Sequence, residues 1–79
     1  MIVIYGKPDC VYCENAKGLL NLHNIDYEYK ELGKDYTIEE LLELNPNART
    51  APQIFDNDRL VGGFDDLRIE LESGNYEWV

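Results

Sequence analysis

The sequence predicts an α/β fold in which one four-stranded mixed sheet has helices on both of its faces. Three observations lead to this prediction. The chain opens on the apolar run "IVIY" at residues 2–5, which is typical of a central strand covered on both faces. A helical repeat and then an alternating strand follow, and together they indicate a βαβ unit. Two further short strands, joined by a turn, indicate a hairpin.

The first helix is predicted from residues that recur on one face, and Asn24 is expected to end it. That face consists of Tyr12, Ala16, Leu19, Leu20 and His23. Gly18 weakens this helix by about 1 kcal/mol relative to alanine, and close packing is the one reason that the sequence offers for it. In the next strand, Ile25, Tyr27 and Tyr29 alternate toward one side.

The second helix is predicted to begin with a capping box. Thr37 and Glu40 stand three positions apart, so the side chain of each can accept a hydrogen bond from the backbone N–H of the other. Pro46 cannot continue the helix. The apolar stripe of this helix is expected to consist of Ile38, Leu41 and Leu42.

The C-terminal part of the chain predicts a hairpin followed by a third helix. The hairpin strands are expected at residues 53–55 and 59–61, with the turn at residues 56–58. Glycines at positions 62 and 63 end the hairpin. A third helix is expected to follow them and to end at Gly74. The buried face of that helix is expected to consist of Phe64, Leu67 and Leu71. The sequence shows no repeat or linker, so we expect residues 1–79 to form a single domain.

Composition and charge narrow the classes of function. The net charge is −9, and most of it lies in residues 35–79, which contain eleven acidic residues and only three arginines. Nucleic acid is therefore not expected as a partner, because phosphate binding needs a basic surface. No apolar run approaches the roughly 20 residues of a membrane span, and the start "MIVIYGK" is too short for a signal peptide. We expect a cytoplasmic protein, whose thiols are kept reduced.

The only two cysteines, Cys10 and Cys13, carry the strongest functional signal. Cys10 lies just before the predicted first helix, where unpaired N–H groups and the helix dipole favour an anion. We therefore expect the pKa of the Cys10 thiol to be lowered. Lys7 adds positive potential nearby. Cys13 comes one turn later, and we expect it to be more buried and to act as the resolving thiol. A C-x-x-C motif at a strand-to-helix turn of a βαβ unit predicts a thioredoxin-like redox fold.

Two other uses of the cysteine pair fit the sequence less well. A zinc site needs four ligands, whereas the chain offers one cysteine pair and a single histidine, His23, ten positions beyond Cys13. A disulfide between the two cysteines closes a very short loop and removes little entropy from the unfolded chain, so it is a poor structural staple. We therefore predict redox chemistry and no metal.

Two further segments predict a binding site. Pro52 precedes the third strand, and its peptide bond is either trans or cis. A cis bond would turn the backbone of Ala51 outward, ready to pair with an extended peptide. In "GGFDDL" the glycines permit close approach, the N–H groups that open the helix can hold a carboxylate, and Asp66 offers charge for an ammonium group. The simpler alternative is that Asp65 or Asp66 only caps the helix.

At these separations, "CVYC", "TAPQIF" and "GGFDDL" resemble the dithiol glutaredoxin family over nearly the whole chain. The resemblance implies that Cys10 is the nucleophile, that Cys13 is the resolving thiol, and that glutathione is a co-substrate with no tightly bound cofactor. Arg49 is the nearby candidate for the contact to the glycine carboxylate. The implied glutathione-binding residues are Lys7, Tyr12, Thr50, Ala51, Pro52, Gly63, Phe64, Asp65 and Asp66.

Among glutaredoxins, the short chain and the C-V-Y-C form look most like those of tailed bacteriophages, which supply electrons to ribonucleotide reductase. The implied activity is reduction of protein disulfides or glutathione mixed disulfides by a monomer in the cytoplasm, or in the host cytoplasm for a phage protein. Val11 departs from the family, since many dithiol members have proline there. The alternatives are a small redoxin reduced directly by thioredoxin reductase, a thioredoxin, an iron–sulfur cluster carrier and a non-enzymatic acidic interaction domain.

Overall fold

The structure, a computed structural model, describes residues 1–74 and contains seven elements in the predicted order. They are β1 (Ile2–Gly6), α1 (Val11–Leu22), β2 (Tyr27–Glu31), α2 (Ile38–Leu44), β3 (Gln53–Asp56), β4 (Arg59–Gly62) and α3 (Phe64–Ser73). The predicted single domain includes residues 75–79, which lie outside the described range. No helix within residues 1–74 is long and apolar enough to cross a bilayer.

The four strands form one mixed sheet in the order β2-β1-β3-β4. β1 pairs in parallel with β2, with Ile2 opposite Tyr27. On its other side β1 runs antiparallel to β3, with Ile4 opposite Ile54. The β3–β4 hairpin completes the sheet, with a register shift beside Ile54. The apolar run at residues 2–5 is therefore a central strand, as the sequence predicted.

Apolar side chains cover both faces of the sheet, because neighbouring residues of a strand point to opposite sides. One cluster joins the sheet to α1 and α3, and the other joins it to α2. The first cluster consists of Ile2, Ile4, Ala16, Leu20, Ile54, Val61 and Leu67. The second consists of Tyr36, Leu41 and Phe55, with Tyr5, Leu32 and Ala48 packed against it. Helices on both faces are thus confirmed.

The buried face of α1 differs from the predicted one. The buried residues are Cys13, Ala16 and Leu20, whereas Tyr12 is 59% exposed and His23 lies exposed at the C-cap. The buried stripe begins one residue later than predicted, because the small apolar side chain of Cys13 takes the place assigned to the Tyr12 ring. This shift leaves Tyr12 at the surface beside Cys10.

The capping box of α2 is confirmed, but its apolar stripe is narrower than predicted. The Glu40 N–H donates to Thr37 Oγ1 at 3.2 Å, and the Thr37 N–H donates to Glu40 Oε1 at 3.0 Å. Only Leu41 is buried, whereas Ile38 and Leu42 are 47% and 39% exposed. A helix of seven residues makes only about two turns, and here one side chain provides its buried anchor.

Of the two glycines interpreted within or after a helix, one has the predicted role and the other does not. Gly74 ends α3 in the left-handed conformation, with φ of 72°, as predicted. Gly18 is exposed, and a Cβ added there would meet no neighbouring atom within 4 Å. Close packing therefore does not account for Gly18, and this part of the interpretation is wrong.

Candidate active site

Cys10 lies at the junction between β1 and α1. Asp9, with φ of 56°, turns the chain there, and Cys10 is the N-cap of the helix in an extended conformation. The Cys13 N–H donates to Cys10 Sγ at 3.2 Å, so a sulfur occupies the place that a serine or aspartate oxygen fills in other helices. The helix dipole and this N–H both favour negative charge on that sulfur.

The two cysteines are joined by a disulfide and differ sharply in access to solvent. Cys10 is half-buried, whereas Cys13 is 1% exposed. A molecule arriving from solvent can therefore contact the sulfur of Cys10 but not that of Cys13. Attack at Cys10 and release by Cys13 require this asymmetry.

The loop that precedes β3 faces the disulfide. The Ala51–Pro52 peptide bond is cis, which decides between the two alternatives that the sequence left open. The carbonyl oxygen of Ala51 lies 3.8 Å from Cys10 Sγ. Thr50 is exposed, Ala51 is half-buried and Pro52 is buried. The loop thus presents backbone groups of residues 50 and 51 beside the reactive sulfur.

Gln53 supports this loop from the interior of the protein, and sequence reasoning did not identify this role. It is the one buried polar residue within residues 1–74, at 7% exposure. Its Nε2 donates to the Thr50 carbonyl at 2.7 Å, and its Oε1 accepts from Asn45 Nδ2 at 3.1 Å. A strand position between Pro52 and Ile54 that is closed to solvent normally takes an apolar residue, so an amide there was the available signal that a partner exists.

The glycine turn before α3 lies on another side of the same loop. Gly62 has φ of 125°, and a Cβ on it would collide with the Asp66 carboxylate, so only glycine fits there. A Cβ on Gly63 would lie 3.7 Å from the Pro52 carbonyl oxygen, which is ordinary contact. The two glycines therefore have different reasons to be present, since the first satisfies the backbone and the second sits against the loop.

Asp66 caps α3 with one of its oxygens. Its Oδ2 accepts from the Gly63 N–H at 3.1 Å, which is the simpler role that the sequence allowed. Within residues 1–74, no side chain caps the N–H groups of the first turn of α3. The exposed Asp66 thus retains a second oxygen for an ammonium group, and the helix start retains donors for a carboxylate.

The remaining predicted residues are distributed around this centre. The Tyr12 and Phe64 rings are 6.2 Å apart between centroids, which links the starts of α1 and α3. Lys7 is exposed and lines the grooves on either side of Cys10 and Ala51. Asp65 points elsewhere, because its Oδ1 lies 3.8 Å from Arg68 Nη2. The three predicted segments meet, with the Asp65 side chain as the exception.

A polar groove of about 380 Å³ flanks Cys10 on the side of β2, and sequence reasoning assigned a functional role to only two of its lining residues, Lys7 and Cys10. Lys17 Nζ lies 2.8 Å from Glu14 Oε2 and 3.8 Å from the centroid of the Tyr29 ring. The hydrogen bond to Glu14 raises the pKa of Lys17, and burial raises the pKa of Tyr29. Lys17 is therefore a cation near neutral pH and Tyr29 is a neutral phenol.

Metal binding receives no support from the arrangement of side chains. His23 lies at the far end of α1 from Cys10. Across residues 1–74, no group of three or more histidine, cysteine, aspartate or glutamate side chains is placed to hold a metal ion. Cys10 and Cys13 are bonded to each other, and in this part of the chain they belong to no group of possible metal ligands.

Comparison with known sequences gives a consistent result. The family model for glutaredoxin matches residues 2–61. Glutaredoxin 1 of Rickettsia typhi is 41% identical over 69 residues, which cover 84% of this chain and 65% of that protein. The chain therefore spans slightly less than two thirds of the length of this relative.

Solved structures show the same fold. A glutaredoxin from Brucella melitensis is 33% identical, with a TM-score of 0.75 over 94% of this chain and 80% of that one. The buckwheat glutaredoxin–glutathione complex is 26% identical, with a TM-score of 0.77 over 92% of this chain and 69% of that one. These matches confirm the predicted thioredoxin-like fold. Together with the match of the family model and the Cys10–Cys13 pair, they show that the chain belongs to the glutaredoxin family.

Proposed function

We propose that this protein is a glutathione-dependent thiol–disulfide oxidoreductase that reduces protein disulfides and glutathione mixed disulfides. The observation that carries the proposal is the position of the Cys10 sulfur. It caps α1, is bonded to the buried Cys13 and lies beside the exposed backbone of the cis-proline loop. Membership of the glutaredoxin family supports the same conclusion.

The reaction begins with the reduced protein. The Cys10 thiolate attacks one sulfur of the substrate disulfide, the S–S bond breaks, and the other sulfur leaves as a thiolate. Cys13 then attacks the sulfur of Cys10 and releases the bound thiol. Where the bound thiol is glutathione, a second glutathione thiolate can instead attack the sulfur of the bound one, which forms glutathione disulfide and releases the Cys10 thiolate. When Cys13 resolves, a Cys10–Cys13 disulfide forms, and two glutathione molecules reduce it to the dithiol and leave as glutathione disulfide.

The glutathione site that we propose crosses the cis-proline loop. The backbone of Thr50, Ala51 and Pro52 pairs with the peptide backbone of glutathione, much as an added strand does. The N–H groups of Phe64 and Asp65, which follow Gly63 in the first turn of α3, bind the γ-glutamyl carboxylate. Asp66 binds the ammonium group with the oxygen that Gly63 does not use.

The other end of glutathione lies on the side of Lys7. We assign the glycine carboxylate to Lys7 and Arg49, both exposed cations that border the loop at Ala51. Tyr12 covers the groove from the α1 side, where its ring already lies near Phe64. The buckwheat glutaredoxin, which was solved as a complex with glutathione, supports binding of this tripeptide by the shared fold.

Finer assignments remain predictions of the sequence. We propose one domain over residues 1–79, a monomeric cytoplasmic protein that needs neither a metal nor a tightly bound cofactor, and no nucleic-acid or membrane partner. Ribonucleotide reductase is proposed as one protein substrate, on the likeness to bacteriophage glutaredoxins. The competing proposal is a small redoxin that accepts electrons directly from thioredoxin reductase.

A coupled assay tests the proposal against its competitor. Reduction of a small glutathione mixed disulfide is followed as NADPH consumption, with glutathione and glutathione reductase as the electron source. A parallel reaction replaces them with thioredoxin reductase. We expect turnover with glutathione. Turnover only with thioredoxin reductase would reject the glutathione site and leave Asp66 as a helix cap.

A further inference from the structure

A second groove, of about 260 Å³, begins at the cis-proline loop and extends across α2; we call it the α2 groove. Its lining is largely apolar and includes Leu32, Tyr36, Ile38, Leu41, Leu42 and Ala48. Tyr36 and Leu41 are buried and form the floor, while Ile38 and Leu42 remain 47% and 39% exposed. Exposed aliphatic side chains grouped beside a reactive centre are typical of a surface that contacts another molecule.

The charged residues that line the α2 groove are both cations. Lys7 and Arg49 stand at its rim, and neither makes an ion pair among the residues that the structure describes. The three glutamates of α2 do not line the groove. In a chain with net charge −9, this is a local excess of positive charge over an apolar floor. Its complement is an anionic residue next to an apolar one.

The α2 groove is continuous with the candidate active site. Ala51 lines it, and the carbonyl oxygen of Ala51 is 3.8 Å from Cys10 Sγ. Glutathione ends at its glycine carboxylate, which we assign to Lys7 and Arg49. A protein substrate has no chain end at that point, so the α2 groove offers a path for the polypeptide that continues past the two cations.

We infer that the α2 groove binds the polypeptide of a protein disulfide substrate and selects a segment in which a large apolar residue and an acidic residue adjoin the attacked cysteine. The inference rests on the proposed exchange at Cys10 and concerns the route that ends at Cys13. In this route the substrate disulfide gains two electrons and leaves as a dithiol, while Cys10 and Cys13 become a disulfide.

Two synthetic peptides, each with one intramolecular disulfide, test this inference. In one, leucine and glutamate adjoin the first cysteine; in the other, serine and lysine take those places. The protein is reduced with dithiothreitol, freed of it and mixed with each peptide, and acid-quenched samples are separated by chromatography to give a rate constant. No glutathione is present, so the result does not depend on glutathione binding. We expect the leucine–glutamate peptide to react about tenfold faster at low salt.

Substitutions in the groove show whether it is the source of the preference. Ile38→Ser and Leu42→Ser replace the exposed aliphatic residues, and neither residue belongs to the proposed glutathione site. We expect each substitution to lower the rate constant for reduction of the leucine–glutamate peptide by about threefold to tenfold. The rate constant for the serine–lysine peptide should be unchanged. Ile69→Ser is the matched control, because Ile69 is 56% exposed on α3 and does not line the groove.

Each other outcome would overturn the inference. Equal rates for the two peptides, or a preference that survives both substitutions in the α2 groove, would show that the groove does not select substrates. A dimer of the unaltered protein that Ile38→Ser dissociates in size-exclusion chromatography would assign the groove to a second copy of the chain. Failure to reduce either peptide would reject the proposed exchange itself, which distinguishes that failure from failure of the inference.

Discussion

The beginnings of α1 and α3 use one physical device for two different purposes. In α1 the Cys10 sulfur accepts from the Cys13 N–H at 3.2 Å, and in α3 the Asp66 carboxylate accepts from the Gly63 N–H at 3.1 Å. Both helices start beside the cis-proline loop. The unpaired N–H groups at a helix start favour negative charge wherever they occur. The capping atom then decides whether the result is a reactive group or a place for a ligand.

The beginning of α2 sharpens this comparison. Thr37 and Glu40 satisfy each other's N–H groups in a reciprocal capping box on the exposed surface. No redox-active atom is involved, and both partners already occupy the helix start. A capped helix start therefore does not by itself indicate a reactive site. In α1 the capping atom is the sulfur of Cys10, whereas in α2 it is the oxygen of Thr37.

The largest expected effect comes from removing the sulfur that caps α1. Cys10→Ser should lower activity by roughly a thousandfold or more, because serine keeps the cap but is a poor nucleophile toward disulfides. Cys13→Ser should retain removal of glutathione from a small mixed disulfide, because free glutathione can resolve the intermediate. The coupled assay with glutathione measures both. An active Cys10→Ser protein, or an inactive Cys13→Ser protein, would contradict the assigned roles.

The glycine turn of α3 should show the next largest effect. Gly62→Ala should destabilise the protein by about 3 kcal/mol, because the residue has φ of 125° and its new Cβ would displace the Asp66 carboxylate. Gly63→Ala should cost only about 0.5 kcal/mol, since its φ is −88° and the new Cβ has room. Urea unfolding measures both free energies. Equal losses at the two positions would refute the distinction drawn between the glycines.

The loop shared by the two helix starts depends on Gln53. Gln53→Leu should destabilise the protein by about 2 kcal/mol, because it leaves the Thr50 carbonyl and the Asn45 amide without their partner. It should also raise KM for glutathione, since the Thr50 carbonyl is no longer held. Asn45→Ala is the matched variant, because it spares the bond from Gln53 to Thr50. If both variants raised KM equally, the effect would belong to general loosening and not to the held carbonyl.

The caps of α3 and α2 should separate ligand binding from helix stability. Asp66→Ala and Thr37→Ala should each cost about 1 kcal/mol in urea unfolding, because each removes a cap. Only Asp66→Ala should raise KM for glutathione, by about fivefold to tenfold, because only Asp66 is proposed to meet an ammonium group.

Asp66→Asn distinguishes the charge of this side chain from its capping role. The amide oxygen can still accept from the Gly63 N–H, so stability should be nearly unchanged while KM for glutathione rises. If KM stayed at the value of the unaltered protein, Asp66 would be a cap and nothing more, and the proposed ammonium contact would have to be withdrawn.

The features that the sequence predicts well are local ones. The apolar run of β1, the Thr37–Glu40 capping box and the β3–β4 turn each depend on residues a few positions apart. The bond from Gln53 to Thr50 depends on the burial of β3 by other elements, and no periodicity encodes it.

Dependence on contacts between distant parts of the chain also explains the two points at which the predicted site was incomplete. The sequence left Pro52 as either cis or trans, because a proline after a small residue is compatible with both. Tyr12 was assigned to the buried face of α1, because helical spacing alone does not say which of two neighbouring stripes meets the sheet. Its closeness to Phe64 is a tertiary contact between two helix starts.

A stabilising substitution separates the stability of α1 from the chemistry at its beginning. Gly18→Ala should stabilise the protein by about 0.8 kcal/mol, because alanine restricts the unfolded chain, favours the helix and meets no atom within 4 Å at this exposed position. The coupled assay should show unchanged activity, since the Cys10 sulfur and the Cys13 N–H lie at the other end of the helix. Urea unfolding measures the gain. A stabilised protein with altered activity would mean that the reactivity of Cys10 depends on the whole helix rather than on its first turn.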